Sequence, residues 1–397
     1  MGEMDFVVYD IGLLILFAGF LAFFLIRNRK NLKKEGMLLL YKTSWGVKLI
    51  EYVGEKYRKA LNFLSYVSIG LGYILMASVL YLIGKVAYIY IFNQSVVRAI
   101  KVPPIMPLIP YLPQMFKLDF LPPFYFIYWI VIIAIVAVGH EFFHGIFARC
   151  HDVKIKKTGF GFFPFFLPVF LAAFVELDEK VMETKKKFKQ MAILSAGTFA
   201  NVLMAILFLG ILWVFFSLAF TPSGVVFDSY VYSGVAVAGI TSVNGIVFDG
   251  GNISELINET GITSIEANGR GYLATKELLD KQIGSEGLVL YDDAPAINSN
   301  LSGVITKIDG VEVKDKNELG EELSKYTPGD EIILTTLIGE ETKDWNIVLG
   351  ESPDGKAWIG VEFYDQKSSG IMGSVIDFFS SFKKANVYYA PKLEQVY

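Results

Sequence analysis

Long apolar runs separated by basic clusters fill the first 220 residues, and short alternating runs fill most of the rest. The first apolar run is Ile11 to Ile26, with Phe6 to Tyr9 as an extension. A helix crossing a hydrocarbon core of about 30 Å needs about 20 residues, so this run is marginal, and the apolar region of a signal peptide is its rival. The acidic start (Glu3, Asp5, Asp10) and the lack of a small-x-small cleavage pattern favour a retained anchor. The cluster Arg27, Arg29, Lys30, Lys33 and Lys34 then reads as a cytoplasmic flank, which puts the N-terminus outside. Residues 37–60 mix apolar residues with Lys42, Lys48, Lys56, Arg58 and Lys59 and read as a cytoplasmic surface segment. A second span is expected from Leu61 to Ile83, with Lys85 snorkelling beyond it. Prolines at 103, 104, 107, 110, 113, 122 and 123 oppose a regular helix, so residues 94–125 read as an external loop. A third span is expected from Phe124 to Ala148, followed by the basic stretch Arg149 to Lys157. Thr158 to Val175, rich in Phe, Gly and Pro, is too broken for a clean helix. Irregular backbone at membrane depth must be buried in protein or line a wet cavity, so this segment reads as a re-entrant loop or small hairpin. The charged residues 176–189 lead into a fourth span, Met191 to Phe220.

Beyond Thr221 the pattern changes period. Gly224 to Asp228, Gly287 to Tyr291, Val304 to Ile308, Glu331 to Leu337 and Trp345 to Leu349 are short β-type runs set among Gly, Asp and Asn. Residues 221–366 therefore read as a mainly β module, which the span count puts outside. The sequons at Asn93, Asn252, Asn258 and Asn300 all fall in segments assigned to that side. Gly303 to Gly310 is echoed by Gly261 to Gly269, a hint of a duplicated β unit. Gly370 to Phe382 is a short amphipathic stretch, too short to span.

Composition sharpens this picture. The chain is 53% hydrophobic and 19% charged, below the roughly 25% charge of ordinary soluble domains, which argues against a disordered or purely soluble protein. A net charge of -4 gives no reason to expect a nucleic-acid partner. The single cysteine, Cys150, excludes an intrachain disulfide.

Two of the three histidines lie in the third span as His140-Glu141-Phe142-Phe143-His144. On a helix, residues four apart share a face, so both imidazoles converge on one metal ion. Zinc there would acidify a water and polarise a peptide carbonyl. Glu141 is placed to take the water's proton and later hand it to the leaving amine. Ionisable residues inside a span are costly, which weighs against a structural accident. A catalytic zinc usually has three protein ligands, and the motif supplies two. Glu176, Asp178 and Glu179 lie on the right side of the membrane but read as solvated or capping acids. His151 reads as a solvated loop histidine and Cys150 as a packing residue.

The segment Val138 to Arg149 (VGHEFFHGIFAR) resembles the HExxH helix of the site-2 proteases, intramembrane zinc metalloproteases of peptidase family M50. Ala173 to Glu179 is similar to the segment that follows that helix in archaeal and bacterial members. Ala196-Gly-Thr-Phe-Ala-Asn201 resembles the family's AGPxAN element, with Thr198 in place of the proline. Asp293 to Ala296, Gly303 to Gly310 and Pro328 to Asp330 resemble a PDZ domain, and the two N-terminal spans resemble the archaeal, PDZ-containing branch. The resemblance covers most of residues 126–365. It implies Zn2+ as cofactor, His140 and His144 as ligands, Glu141 as general base, and Asn201 and Gly197 as substrate-contacting or structural residues. It also implies a third ligand, an aspartate in an LDG motif on a later helix. This sequence has no LDG, and the expectation is a truncated chain whose residues Phe378 to Tyr397 lead toward a further span. Two histidines alone should hold zinc weakly and give little activity.

The sequence thus predicts a multi-span α-helical membrane protein with about four transmembrane helices and an inserted extracytoplasmic β-rich, PDZ-like domain. The expected parts are 1–60 (anchor and basic linker), 61–123 (second span and proline-rich loop), 124–220 (metalloprotease core), 221–366 (PDZ-like domain) and 367–397 (amphipathic tail). The expected activity is cleavage of single-span membrane proteins near the cytoplasmic face, with the PDZ-like domain binding peptide tails outside. The alternative is a non-catalytic adaptor working through the PDZ-like domain. A metal transporter is disfavoured by the lack of acidic pairs in the other spans.

Overall fold

The computed structural model describes residues 3–392 apart from 37, 95–96, 98–108, 117, 119–122, 163–170, 251–252, 254–255, 258–260, 281, 283–286 and 364–383. Most of the proline-rich loop and the amphipathic stretch Gly370 to Phe382 therefore lie outside the described residues. The chain divides into two units, Met1–Phe208 and Leu209–Tyr397.

The first unit is built on long apolar helices. Helix α1 is Glu3–Arg27, α2 is Val47–Lys56, α3 is Arg58–Phe92, α4 is Phe126–Cys150 and α5 is Lys187–Ala219. Four of them (α1, α3, α4 and α5) are long and apolar enough to cross a membrane. Helix α3 outruns the expected second span at both ends, with 35 residues. Helix α5 begins four residues before the expected start and runs beyond the unit boundary.

The segment read as a re-entrant loop or small hairpin supplies two paired strands, and it joins part of the basic linker in one sheet. Strands β1 (Leu32–Glu35), β2 (Leu38–Thr43), β3 (Ile155–Phe162) and β4 (Leu171–Leu177) form an antiparallel sheet in that order. β2 pairs with β3 from Leu39↔Phe162 to Thr43↔Thr158. β3 pairs with β4 from Ile155↔Leu177 to Phe162↔Leu171. Residues 37–60 are therefore not a loose surface segment: their first half is a strand and their second half is α2. The physical reason is pairing. Once β3 offers its free edge, the backbone of Leu38–Thr43 satisfies its hydrogen bonds there rather than in water.

Helix α2 lies tightly on α4. A Cβ on Gly54 would come within 2.7 Å of the Arg149 Cβ, and one on Gly145 within 2.7 Å of the Ile50 Cγ2. Small residues at both crossings let the backbones approach. Ile50, Ile146, Phe147, Val153, Ile155, Ile193, Ala196 and Phe199 form the buried core that joins α2, α4, β3 and α5. At the other end of α4, buried Asp10 of α1 accepts hydrogen bonds from the Phe126 amide at 2.7 Å, the Ile127 amide at 2.9 Å and the Tyr111 hydroxyl. It thereby satisfies amides that the first helical turn leaves without partners.

Among its described residues the second unit contains two six-stranded β-sheets with separate cores, beside two two-stranded ladders. One runs Tyr232–Ala236, Gly287–Asp292, Arg270–Thr275, Ile262–Ala267, Ile240–Val243, Ile246–Val247, around Val243, Ile265 and Leu290. The other runs Glu341–Val348, Glu331–Ile338, Val304–Ile308, Phe220–Val225, Val387–Pro391, around Ile305, Ile332 and Leu334. The last strand lies past residue 366, so the expected module boundary is too early. Within the segment Phe378 to Tyr397, Val387–Pro391 pairs antiparallel with Phe220–Val225. The echo between Gly261–Gly269 and Gly303–Gly310 is one of turn chemistry. Asn268-Gly269 and Asp309-Gly310, like Asn244-Gly245, are two-residue hairpin turns with both residues at positive φ.

Candidate metal centre

Helix α4 places His140 and His144 one turn apart on one face, and their Nε2 atoms lie 3.1 Å apart. The other nitrogen of each ring is tied to α5. His144 Nδ1 donates to the Ile193 carbonyl at 2.7 Å, and His140 Nδ1 donates to Asn201 Oδ1 at 3.3 Å. With the protons held at Nδ1, two Nε2 lone pairs face each other, an arrangement that a shared cation resolves. Two zinc–imidazole bonds of about 2.0–2.1 Å at a tetrahedral angle would separate their nitrogens by about 3.3 Å. The observed pair fits that geometry.

Helix α5 meets the histidines with a stripe of its own. Ile193, Gly197 and Asn201 are spaced by four and share one face. Gly197 sits opposite both rings. A Cβ there would lie 2.3 Å from His140 Nε2 and 2.4 Å from His144 Nε2, in the space an ion would fill. Thr198, which replaces the resembled proline, does not break α5; its hydroxyl donates to the Ser195 carbonyl at 2.9 Å.

Glu141 points to the sheet. Its Oε2 accepts the Val175 amide of β4 at 3.0 Å. β4 is the edge strand, so this amide is one the β3 ladder does not use. Two cavities meet at Val175. One, of about 430 Å³, is lined mainly by apolar side chains and has Glu141 in its wall. The other, of about 410 Å³, holds His144, Glu176, Glu179, Glu183 and Gln190.

The structure brings His140, Glu141, His144, Gly197 and Asn201 together. Among the described residues, no third His, Cys, Asp or Glu joins the histidine pair as a metal-holding group. Glu176 instead pairs with Lys42 at 2.9 Å, a contact that, with Glu35, raises the lysine's pKa. Asp178 pairs with Lys156 at 3.3 Å, which holds its carboxyl below the ordinary range. Glu179 opens the short helix Glu179–Glu183.

His151 is not the solvated histidine its basic neighbours suggest. It is 2% exposed, with Nε2 2.9 Å from the Ser65 hydroxyl of α3. The chain reverses there: Asp152 takes a positive φ, and the Val153 amide bonds back to the Ala148 carbonyl at 2.9 Å. This left-handed helix stop folds His151 and Val153 inward. Cys150 is buried, as a packing residue should be, with Sγ 3.5 Å from Asn62 Oδ1. Two functional groups had no sequence signal, the Ile193 carbonyl and the Val175 amide. They are backbone atoms that any residue type could supply.

The sequence model of peptidase family M50 matches residues 128–386, a stretch that contains both histidines, Glu141 and most of the β-rich unit. The chain belongs to peptidase family M50, the family of the site-2 proteases. That membership defines its class, membrane metalloproteases that are generally zinc-dependent. No curated protein matches the chain.

Proposed function

We propose that the chain is an intramembrane zinc endopeptidase that cleaves single-span membrane proteins. The observation that carries this reading is the His140–His144 pair, with two Nε2 atoms converging 3.1 Å apart over a glycine. Zinc in that place would supply an acidified water and a polarised carbonyl. The chain's own residues do the rest. Glu141 takes a proton from the attacking water and returns it to the leaving amine. The Val175 amide fixes one carboxylate oxygen of Glu141 at the sheet edge. A substrate strand adds to β4 by backbone pairing. Unwinding the substrate is necessary because a helix hides its carbonyls in the i→i−4 ladder. Asn201 and the Ile193 carbonyl orient the two imidazoles. With two ligands among the described residues, zinc is held weakly and cleavage is slow.

Four apolar helices support insertion in a bilayer, and the basic flanks after α1 and α4 favour a site near the cytoplasmic face. On that orientation the β-rich unit lies outside, where its PDZ-like part binds peptide tails or limits access by size. The two-ligand site also keeps the adaptor reading in play, in which that part alone acts. Zinc affinity of the purified chain, measured by competition with a chromogenic chelator, separates the two. His140→Ala and His144→Ala should each weaken binding at least about 100-fold, since each removes one of two ligands. Unchanged affinity in both variants would remove the zinc reading and leave the adaptor.

A further inference from the structure

We propose that the apolar cavity beside Glu141 is a specificity subsite that takes a leucine- or phenylalanine-sized side chain next to the scissile bond. The proposal rests on the peptidase reading and names what that site selects. The cavity, about 430 Å³, lies within the range of about 300–1,000 Å³ common to ligand pockets. Three parts of the chain wall it: Leu49 and Ile50 from α2, Val138 and Phe142 from α4, and Phe160 and Phe174 from the β3–β4 hairpin. Trp45, 80% exposed, stands at its margin, and its carbonyl accepts the Thr158 hydroxyl, which ties the margin to β3.

Position makes this a subsite rather than a void. Side chains of a strand alternate between the two faces of its sheet. A substrate strand laid along β4 therefore directs every second side chain to one face. At Val175 that edge carries the amide held by Glu141, so the cavity with Glu141 in its wall receives a side chain beside the bond being cut. Lys48 and Glu141 share the wall with these apolar groups, so the selection expected here is by size and apolar contact. The neighbouring cavity at His144 mixes Glu176, Glu179 and Glu183 with Leu177, Met182 and Ile193, so its demand is less purely apolar.

The test uses the full chain in zinc-supplemented proteoliposomes and a single-span substrate in which each residue near the cut is varied among Leu, Phe, Ala and Asp. Products are mapped by mass spectrometry. Each methylene in a well-fitted apolar pocket is worth about 10-fold or more. The expected result is a preference of about 100-fold for Leu or Phe over Ala at one position, and its loss or reversal in Leu49→Trp, which fills the cavity. Equal rates for Leu, Ala and Asp at every position would overturn the proposal. A second measurement does not need catalysis. In Glu141→Gln labelled with 5-fluorotryptophan, the Trp45 resonance, assigned through Trp45→Phe, is titrated with N-acetyl-leucinamide and N-acetyl-alaninamide. A saturable shift with the leucine compound alone, abolished by Leu49→Trp, supports the subsite, and the same response to both compounds overturns it. If the wild-type chain cleaves nothing, the peptidase reading falls, while this titration still decides the pocket.

Discussion

Gly197 is the residue on which the proposed metal site turns, because it contributes by what it lacks. Adding one methyl group puts a carbon within 2.4 Å of both ring nitrogens. Gly197→Ala is expected to abolish zinc binding while helix content, followed by circular dichroism, stays unchanged, since Ala is the better helix former. Asn201→Ala should be milder, about 10–100-fold in zinc affinity, because it removes a hydrogen bond that orients a ligand rather than the ligand itself. His151 gives a different signature. Burial lowers its pKa below the ordinary 6.5, and Lys189 and Arg58 add to the effect. The unfolded chain takes up this proton near pH 6.5 and the folded chain only at lower pH. Stability from His151 is therefore full above that value and is lost as pH falls toward the folded pKa. The thermal midpoint of the wild type should fall more steeply between pH 7 and 5 than that of His151→Gln. At this scale the sequence was informative where side chains carry the chemistry. That His140 and His144 converge was readable from their spacing, and that Gly197 and Asn201 lie beside them from resemblance. His151 was misread because its neighbours are basic, and the left-handed turn at Asp152 that buries it has no glycine to announce it.

The long apolar helices were legible and the four-stranded sheet only in its β3–β4 pair, for the same reason. A long apolar run is a local signal; α3, α4 and α5 carry it plainly and α1 marginally. Strand β2, by contrast, has the sequence LLLYKT, with no clear alternation, and its partner β3 is more than a hundred residues away. Strand formation depends on such partners more than on intrinsic preference. The broken composition of residues 158–175 left a re-entrant loop and a small hairpin both open, and β3 and β4 pair as the strands of a hairpin. Asp10 belongs to this scale because it joins two elements. In the sequence it was one of three acids before an apolar run; in the fold it is the buried cap of the helix that carries the histidines. Asp10→Ala should destabilise the docking of α1 on α4 by about 2 kcal/mol, as loss of charged hydrogen bonds to helix amides does. A lower thermal midpoint with unchanged zinc affinity would be the expected pair of results. An unchanged midpoint would show that the cap contributes nothing.

For the molecule as a whole, two units of different character follow from two hydrophobic periods. The long runs make the helical unit that holds the histidines, and the alternating runs make the two large sheets of the second unit. The echo of Gly303–Gly310 in Gly261–Gly269 was visible in the sequence, but the closing strand Val387–Pro391 was not, since its pairing partner is Phe220–Val225 at the other end of the unit. The central claim is that the histidine pair, with Glu141, hydrolyses peptide bonds in a membrane substrate. Its most direct test is cleavage of a single-span substrate in zinc-supplemented proteoliposomes by the wild-type chain and by Glu141→Gln, with zinc content measured on the same samples. The expected result is slow cleavage by the wild type that falls at least about 100-fold in Glu141→Gln, in keeping with loss of a general base, while both bind zinc equally. Equal cleavage by the two proteins, or none by either at full zinc loading, would contradict it.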